Sequence, residues 1–150
     1  MLKQASGARV ELEAPTLGTL VRDASLNDQD KEFTVPAGKE WEVSAIYVVY
    51  IAQGAAGNRQ LEFSLDDGAS NQLVFLAGAV QPVGTTYNYA LAPGLEISAL
   101  VGTTMTGPLP RPCRLPAGWR FQVRQVGSGD AGDDMTVVIM GAERSAGAGI

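Results

Sequence analysis

Histidine is absent from all 150 residues of the chain. That absence removes the imidazole on which most general acid–base and triad mechanisms rely near neutral pH, and a common ligand of metal-dependent β enzymes. Cysteine occurs once, at Cys113, so no intrachain disulfide can form and nothing points to secretion. No apolar run approaches the ~20 residues of a membrane helix. The opening Met1-Leu2-Lys3-Gln4-Ala5-Ser6-Gly7 has no apolar core of a signal peptide. Positive charge is scarce as well: 11 Lys and Arg against 16 Asp and Glu leave a formal charge of −5, the wrong sign for a nucleic-acid surface. The expected chain is therefore not an enzyme, holds no cofactor or metal, and contacts neither nucleic acid directly nor a membrane. Its expected place is a cytoplasm, or a particle assembled there.

The most local absence is of charge. Between positions 68 and 110 the only charged residue is Glu96. A half-exposed sheet normally places polar and charged side chains at alternate positions. Here the stretch instead holds Leu73-Val74-Phe75-Leu76, Tyr87, Tyr89, Leu91, Leu95, Ile97, Leu100 and Met105. Depletion of charge with enrichment of aromatics and Met characterises the core of a protein–protein interface. Leu73, Val74, Phe75, Leu76, Tyr87 and Tyr89 are the apolar interface candidates.

Glycine and proline are plentiful. Gly contributes 18 residues and Pro 8, with Gly well above the usual ~7%. Punctuation of that kind, between short alternating runs, predicts an all-β chain. One phrase is written twice. Phe33-Thr34-Val35-Pro36-Ala37-Gly38-Lys39-Glu40-Trp41-Glu42-Val43 returns as Cys113-Arg114-Leu115-Pro116-Ala117-Gly118-Trp119-Arg120-Phe121-Gln122-Val123. Each copy reads as a strand, a Pro-Ala-Gly corner and a second strand with an inward aromatic. Two copies suggest two related halves of one sandwich, and are too few for a solenoid.

Residues 1–16 read as an extended N-terminal arm, with a short strand at 9–13. Residues 17–142 form the sandwich and 143–150 a small-residue tail. Within the sandwich, strands are expected at 17–23, 33–35, 40–52, 59–65, 73–77, 85–91, 95–101, 119–126 and 135–140. The run from 40 to 52 is the strongest, with Trp41, Val43, Ala45, Tyr47, Val49 and Ile51 on one face by period two. Eight to ten antiparallel strands, with turn signals between them and no helix, predict a single jelly-roll-like β-sandwich.

Several local patterns invite chemistry. Gly127-Ser128-Gly129-Asp130-Ala131-Gly132 matches the dinucleotide fingerprint, but that motif needs a helix directly after it. Here Asp133-Asp134 and a strand follow, so a hairpin loop is expected. Asp130, Asp133 and Asp134 could offer oxygens to Ca²⁺, yet EF-hand spacing is missing, and a solvated turn is the expected reading for them and for Asp66-Asp67. Cys113, flanked by prolines and without a histidine partner, reads as a small buried side chain. A carboxylate pair for glycoside hydrolysis is conceivable without histidine, but no pair stands out from the turn-forming acids. Arg111, Arg114, Arg120 and Arg124 cluster around the second corner phrase and form a further interface candidate, an arginine face suited to an acidic neighbour.

The corner phrases, with Ala131-Gly132-Asp133-Asp134-Met135 after the second, resemble small β-sandwich virion proteins of tailed bacteriophages, above all the jelly-roll cement (decoration) proteins of phage heads. The resemblance spans about residues 31–142. It implies a homo-oligomer, dimer or trimer, that binds the outer surface of the major capsid protein lattice and bridges capsomers. The expected location is then the capsid surface of a virion. It carries over no functional residues, because such a role uses surfaces. Two alternatives stand beside it: a tail, fibre or baseplate sandwich with Tyr87 and Tyr89 exposed toward glycans, and a carbohydrate-active sandwich enzyme or binding module.

Overall fold

A computed structural model describes residues 18–26 and 30–146; the whole arm with its 9–13 strand and the last four residues of the tail lie outside them. The described chain forms ten strands: β1 (Gly18–Asp23), β2 (Asp30–Thr34), β3 (Lys39–Ile51), β4 (Leu61–Asp66), β5 (Asn71–Leu76), β6 (Thr86–Pro93), β7 (Thr104–Leu109), β8 (Arg114–Leu115), β9 (Arg120–Gln125) and β10 (Asp134–Ser145). One sheet has the order β1-β10-β3-β6-β7, with β8 also on β3; the other has β2-β9-β4-β5. The antiparallel pairs β1:β10, β2:β9, β3:β6 and β4:β5 are nested in sequence. Nesting of that kind winds a double-sheet jelly roll.

Each copy of the repeated phrase is one of the points where the chain changes sheets. At the first corner it passes from β2 in the smaller sheet to β3 in the larger; at the second it passes back from β8 to β9. Each corner is closed by a turn in which the fourth residue's N–H bonds the proline carbonyl, Lys39 to Pro36 and Trp119 to Pro116, both at 3.1 Å. Gly38 and Gly118 occupy the third position with φ of 76° and 88°, a conformation only glycine adopts without strain. The two copies also pair crosswise: β2 lies on β9 and β8 on β3. Val35 N–H bonds Trp119 O at 2.8 Å, and Gly118 N–H bonds Val35 O at 3.0 Å. The aromatics at equivalent places, Trp41 and Phe121, are both buried.

β3 departs from uniform alternation. Trp41 and Val43 point into the core, but the inward set continues as Ile46, Val48, Tyr50 and Ala52, while Tyr47 is 43% exposed. The expected inward positions Ala45, Tyr47, Val49 and Ile51 thus lie on the other face. The cause is a bulge: Val43 pairs Gly141 and Ala45 pairs Met140, leaving Ser44 as the extra residue. One inserted residue reverses the phase of every side chain beyond it. Glycine at 141 accommodates the close approach, since a Cβ there would sit 2.1 Å from Glu42 O.

Two further expectations fail in the third quarter of the chain. Residues 95–101 form no strand, because Gly94 (φ 90°) turns the chain at Pro93-Gly94. The segment then lies along β7: Ser98 N–H bonds Thr106 O, Thr106 N–H bonds Ser98 Oγ and Thr106 Oγ1 bonds Glu96 O. The strand comes later, at β7, and includes Gly107-Pro108-Leu109. It runs parallel to β6, an exception to the otherwise antiparallel pairing. β10 also extends past the expected boundary at 142, pairing Glu143, Arg144 and Ser145 with Trp41, Glu40 and Lys39. Between the sheets, Phe63 centres an aromatic group, with ring centroids 5.4 Å from Phe75, 5.8 Å from Tyr89 and 6.5 Å from Phe121.

Candidate functional site

Charged side chains in the interior are the first place to look for chemistry. Arg59 and Asp133 are both fully buried. Arg59 precedes β4 in its inward phase, and Asp133 precedes β10 in its own. The guanidinium donates to Asp133 through Nε at 2.9 Å and Nη2 at 3.0 Å, and to the carbonyls of Gly57 and Gln53 at 2.7 and 2.9 Å. Asp133 also accepts from Tyr50 Oη and Gln53 N–H, each at 2.8 Å. Next to this cluster, Gln81 donates to Tyr50 O at 2.7 Å and Thr85 O at 3.0 Å, and accepts from Tyr89 Oη at 2.7 Å. Arg59 and Gln81 exchange backbone bonds.

The electrostatics follow. Burial alone would raise Asp133, but Arg59, the Gln53 N–H and the Tyr50 hydroxyl outweigh it and hold the carboxyl below the ordinary carboxylate range. The Asp133 carboxylate raises Arg59, and burial and then Asp133 push the Tyr50 phenol far above its usual value. Every group in this cluster has its partner inside the protein. Such a network latches the loops at residues 53–59, 80–85 and 127–133 to the sheets, and presents no free acid, base or nucleophile.

The glycine-rich loop between β9 and β10 joins strands of different sheets and is not the hairpin expected from the sequence. Nor is it a uniformly solvated turn. Asp130 accepts from the N–H groups of Ala55 and Gly132 at 3.1 and 2.7 Å, Asp133 is buried, and Asp134 accepts from Gln53 Nε2 at 3.0 Å. Among the described residues no group of three or more His, Cys, Asp or Glu is placed to hold a metal. Asp66, at the other acid turn, is buried too and accepts from Gly68 N–H and Arg120. Cys113 is buried against the core, and burial pushes its thiol up to about 11.

Three of the four candidate arginines are engaged within the chain. On the outer face of the smaller sheet, cross-strand rows run Asp30–Arg124–Glu62 and Thr34–Arg120–Asp66. Arg124 pairs with Glu62, and Arg120 reaches Asp66 at 2.9 Å and Glu32 at 3.2 Å. These two arginines are thus ladder members between acids, and the face they share carries more acid than base. Arg114, on β8, lies 3.7 Å from Glu42 and remains largely exposed. Arg111 is exposed, and among the described residues it has no acidic partner.

The uncharged stretch separates into core and surface. Tyr87 and Tyr89 are buried in β6 and Phe75 and Leu73 face inward, so these four build the sandwich. The two tyrosines belong to the same phase as Leu91, a signal legible in the alternation. Val74 and Leu76 point outward, each 44% exposed. They lie beside Ser64 and Glu62 of β4 at the free edge of the smaller sheet. The segment over β7 adds Leu95, Ile97 and Val101, the last 75% exposed, and Ile97 approaches Gly78 just beyond β5. The result is one flank of the sandwich, where both sheets end, with apolar side chains and little charge. Comparison of the chain with protein-family models, with curated proteins and with solved structures finds no match.

Proposed function

We propose that the chain is a structural protein of a virion, most specifically a cement protein that binds the outside of a tailed-phage head, bridges capsomers of the major capsid protein and stabilises the shell. The observation that carries this reading is where the exposed apolar surface lies. Among the described residues, seven of the eleven exposed large hydrophobics fall between Val74 and Val101, inside the stretch whose only charge is Glu96. Concentrated apolar surface without charge favours contact with other protein. The likeness of the two corner phrases to phage-head sandwich proteins supplies the kind of particle. The burial of Tyr87 and Tyr89 removes the feature that favoured a glycan-binding tail protein.

The mechanism is mass action. A protein that binds the assembled shell and not its dissociated subunits stabilises the shell by about 2.7 kcal/mol per site when its free concentration is a hundredfold above Kd. Copies that bridge seams act together, so a modest contact accumulates. Heads prepared without the protein, heated alone and with the purified chain, test the reading. Saturable co-sedimentation and a higher disruption temperature support it; absence of binding and an unchanged disruption temperature contradict it.

A further inference from the structure

From the register of the larger sheet we infer that its outer face packs on the same face of a second copy, about a twofold axis parallel to the strands and midway between β3 and β6. The inference deepens the assembly reading above and rests on it for the expectation of an oligomer.

The two outer faces differ in chemistry. A sheet face left to water is polar, and that of the smaller sheet is, with Arg120 and Arg124 set between acids. On the larger sheet the bulge at Ser44 turns Ala45, Tyr47, Val49 and Ile51 outward, beside Val138 and Met140 of β10. Tyr47 and Met140 are 43% and 39% exposed. Between the Glu42 row and the Ile51 row, β10, β3, β6 and β7 present no charged side chain on this face among the described residues. At about 3.3 Å by 4.8 Å per residue, the six strands of this sheet cover roughly 700 Å² of plane. One side of a standard protein interface is close to that, at ~800 Å².

The cross-strand rows make the face its own complement. β10 pairs β3 along its whole length, so β6 and β8 share the other edge of β3. One row reads Val138–Tyr47–Ala90–Thr106; another, at the corner end, reads Ala142–Glu42–Arg114. An axis between β3 and its neighbours on that edge lays each row over its own reverse. Tyr47 then covers the copy's Ala90, the bulkiest side chain of the row on the smallest. Glu42 meets the copy's Arg114, and Arg114 the copy's Glu42. Arg22, at the β1 end of the Tyr47 row, falls beyond the copy's β7. An axis across the strands would instead set Glu42 on the copy's apolar band, burying a charge without a partner. Face-to-face sheets ~10 Å apart with aligned strands are the ordinary packing of a sandwich, so the dimer is two sandwiches back to back.

Sedimentation velocity on the full chain over a range of concentrations reads the dimer. Tyr47→Lys places an ammonium in the apolar centre of the seam and should weaken dimerisation roughly tenfold or more. Tyr47 faces solvent in the single chain, so circular dichroism should show the fold unchanged; Val138→Lys is a second variant of the same kind. The axis has its own test. Glu42→Arg opposes Arg to Arg at two places, and Arg114→Glu opposes Glu to Glu, so each should weaken the dimer roughly threefold or more. Mixing the two variants restores both opposite-charge pairs, and the mixture should be more dimeric than either part at the same total concentration. A dimer that Tyr47→Lys leaves intact overturns the face pairing and leaves the assembly reading standing. A mixture no more dimeric than its parts overturns the axis, and the pairing with it. A monomeric native chain, the result if capsid protein or another part of the chain covers this face, also overturns it. Whether that monomer binds and protects heads then decides the assembly reading separately.

Discussion

Removal of the Asp133 carboxylate by Asp133→Ala should be among the most damaging single changes in the fold. Five donors converge on that carboxylate: two from Arg59 and one each from Tyr50, the Gln53 N–H and the Asp130 N–H. After truncation Arg59 keeps only the carbonyls of Gly57 and Gln53. Breaking a buried pair by removing one partner costs about 3–5 kcal/mol, because the other charge stays buried. Stranding the Tyr50 hydroxyl and the Gln53 N–H adds about 1–3 kcal/mol each where no water enters. These terms overlap, so a loss of about 4 kcal/mol or more is expected, against a total stability of roughly 5–15 kcal/mol for a typical domain. At ~2–4 °C per kcal/mol the melting midpoint should fall by about 10 °C or more. Urea titration followed by tryptophan fluorescence and circular dichroism measures it. The double variant Arg59→Met/Asp133→Leu removes both charges and should be markedly more stable than Asp133→Ala. A single variant that loses less than about 1 kcal/mol, or a double variant that is worse than the single, would refute the latch.

Other consequences are more local. Asp133 is held below the carboxylate range, and Asp23, by its bonds to Lys31 and Ser25, falls to about 2. Both bind fewer protons folded than unfolded, so their stabilisation is present above about pH 4 and is lost as pH falls through the folded values. Asp23→Asn should flatten the rise of the urea midpoint between pH 2 and 4, and an unchanged slope would count against the assignment. Gly38→Ala and Gly118→Ala should each cost about 1–2 kcal/mol from left-handed strain alone, since neither Cβ meets a neighbour; unequal costs would argue against equivalence of the two corners. Gly141→Ala should cost more than Gly18→Ala in a thermal melt, because its Cβ meets Glu42 O and Gly18 faces open space. Native Cys113 should react with a thiol reagent only on unfolding, given its burial and raised thiol.

The corners were legible because their chemistry is local: proline at one position, a left-handed glycine two residues later, an inward aromatic after that. The crosswise pairing of the copies was not, since nothing in a short repeat says which strand its neighbour will be. The bulge at Ser44 escaped for the same reason; the close approach it makes is accommodated by Gly141, almost a hundred residues away, and it inverts the reading of the strand beyond it. Residues 95–101 alternate like a strand but meet β7 only through scattered bonds, two of them made by the Ser98 and Thr106 side chains rather than by a backbone ladder.

The buried latch did carry a signal. Arg59 shares the phase of Leu61, Phe63 and Leu65, and Asp133 that of Met135, Val137 and Ile139, so opposite charges at inward positions of two strands mark a buried pair. Lys31, in phase with Phe33 and Val35, repeats the pattern with Asp23 as its partner. Composition alone could not separate core from surface in the uncharged stretch. Alternation with Leu91 puts Tyr87 and Tyr89 inside, whereas only the sheet order shows that Val74 and Leu76 line a free edge.

Imaging of heads bound by the purified protein tests the assembly reading most directly. Density for the sandwich is expected on the shell at regular lattice positions, with the flank from Val74 to Val101 buried against capsid protein or a second copy. Bare heads at saturating protein, or bound copies whose uncharged flank faces solvent, would contradict it.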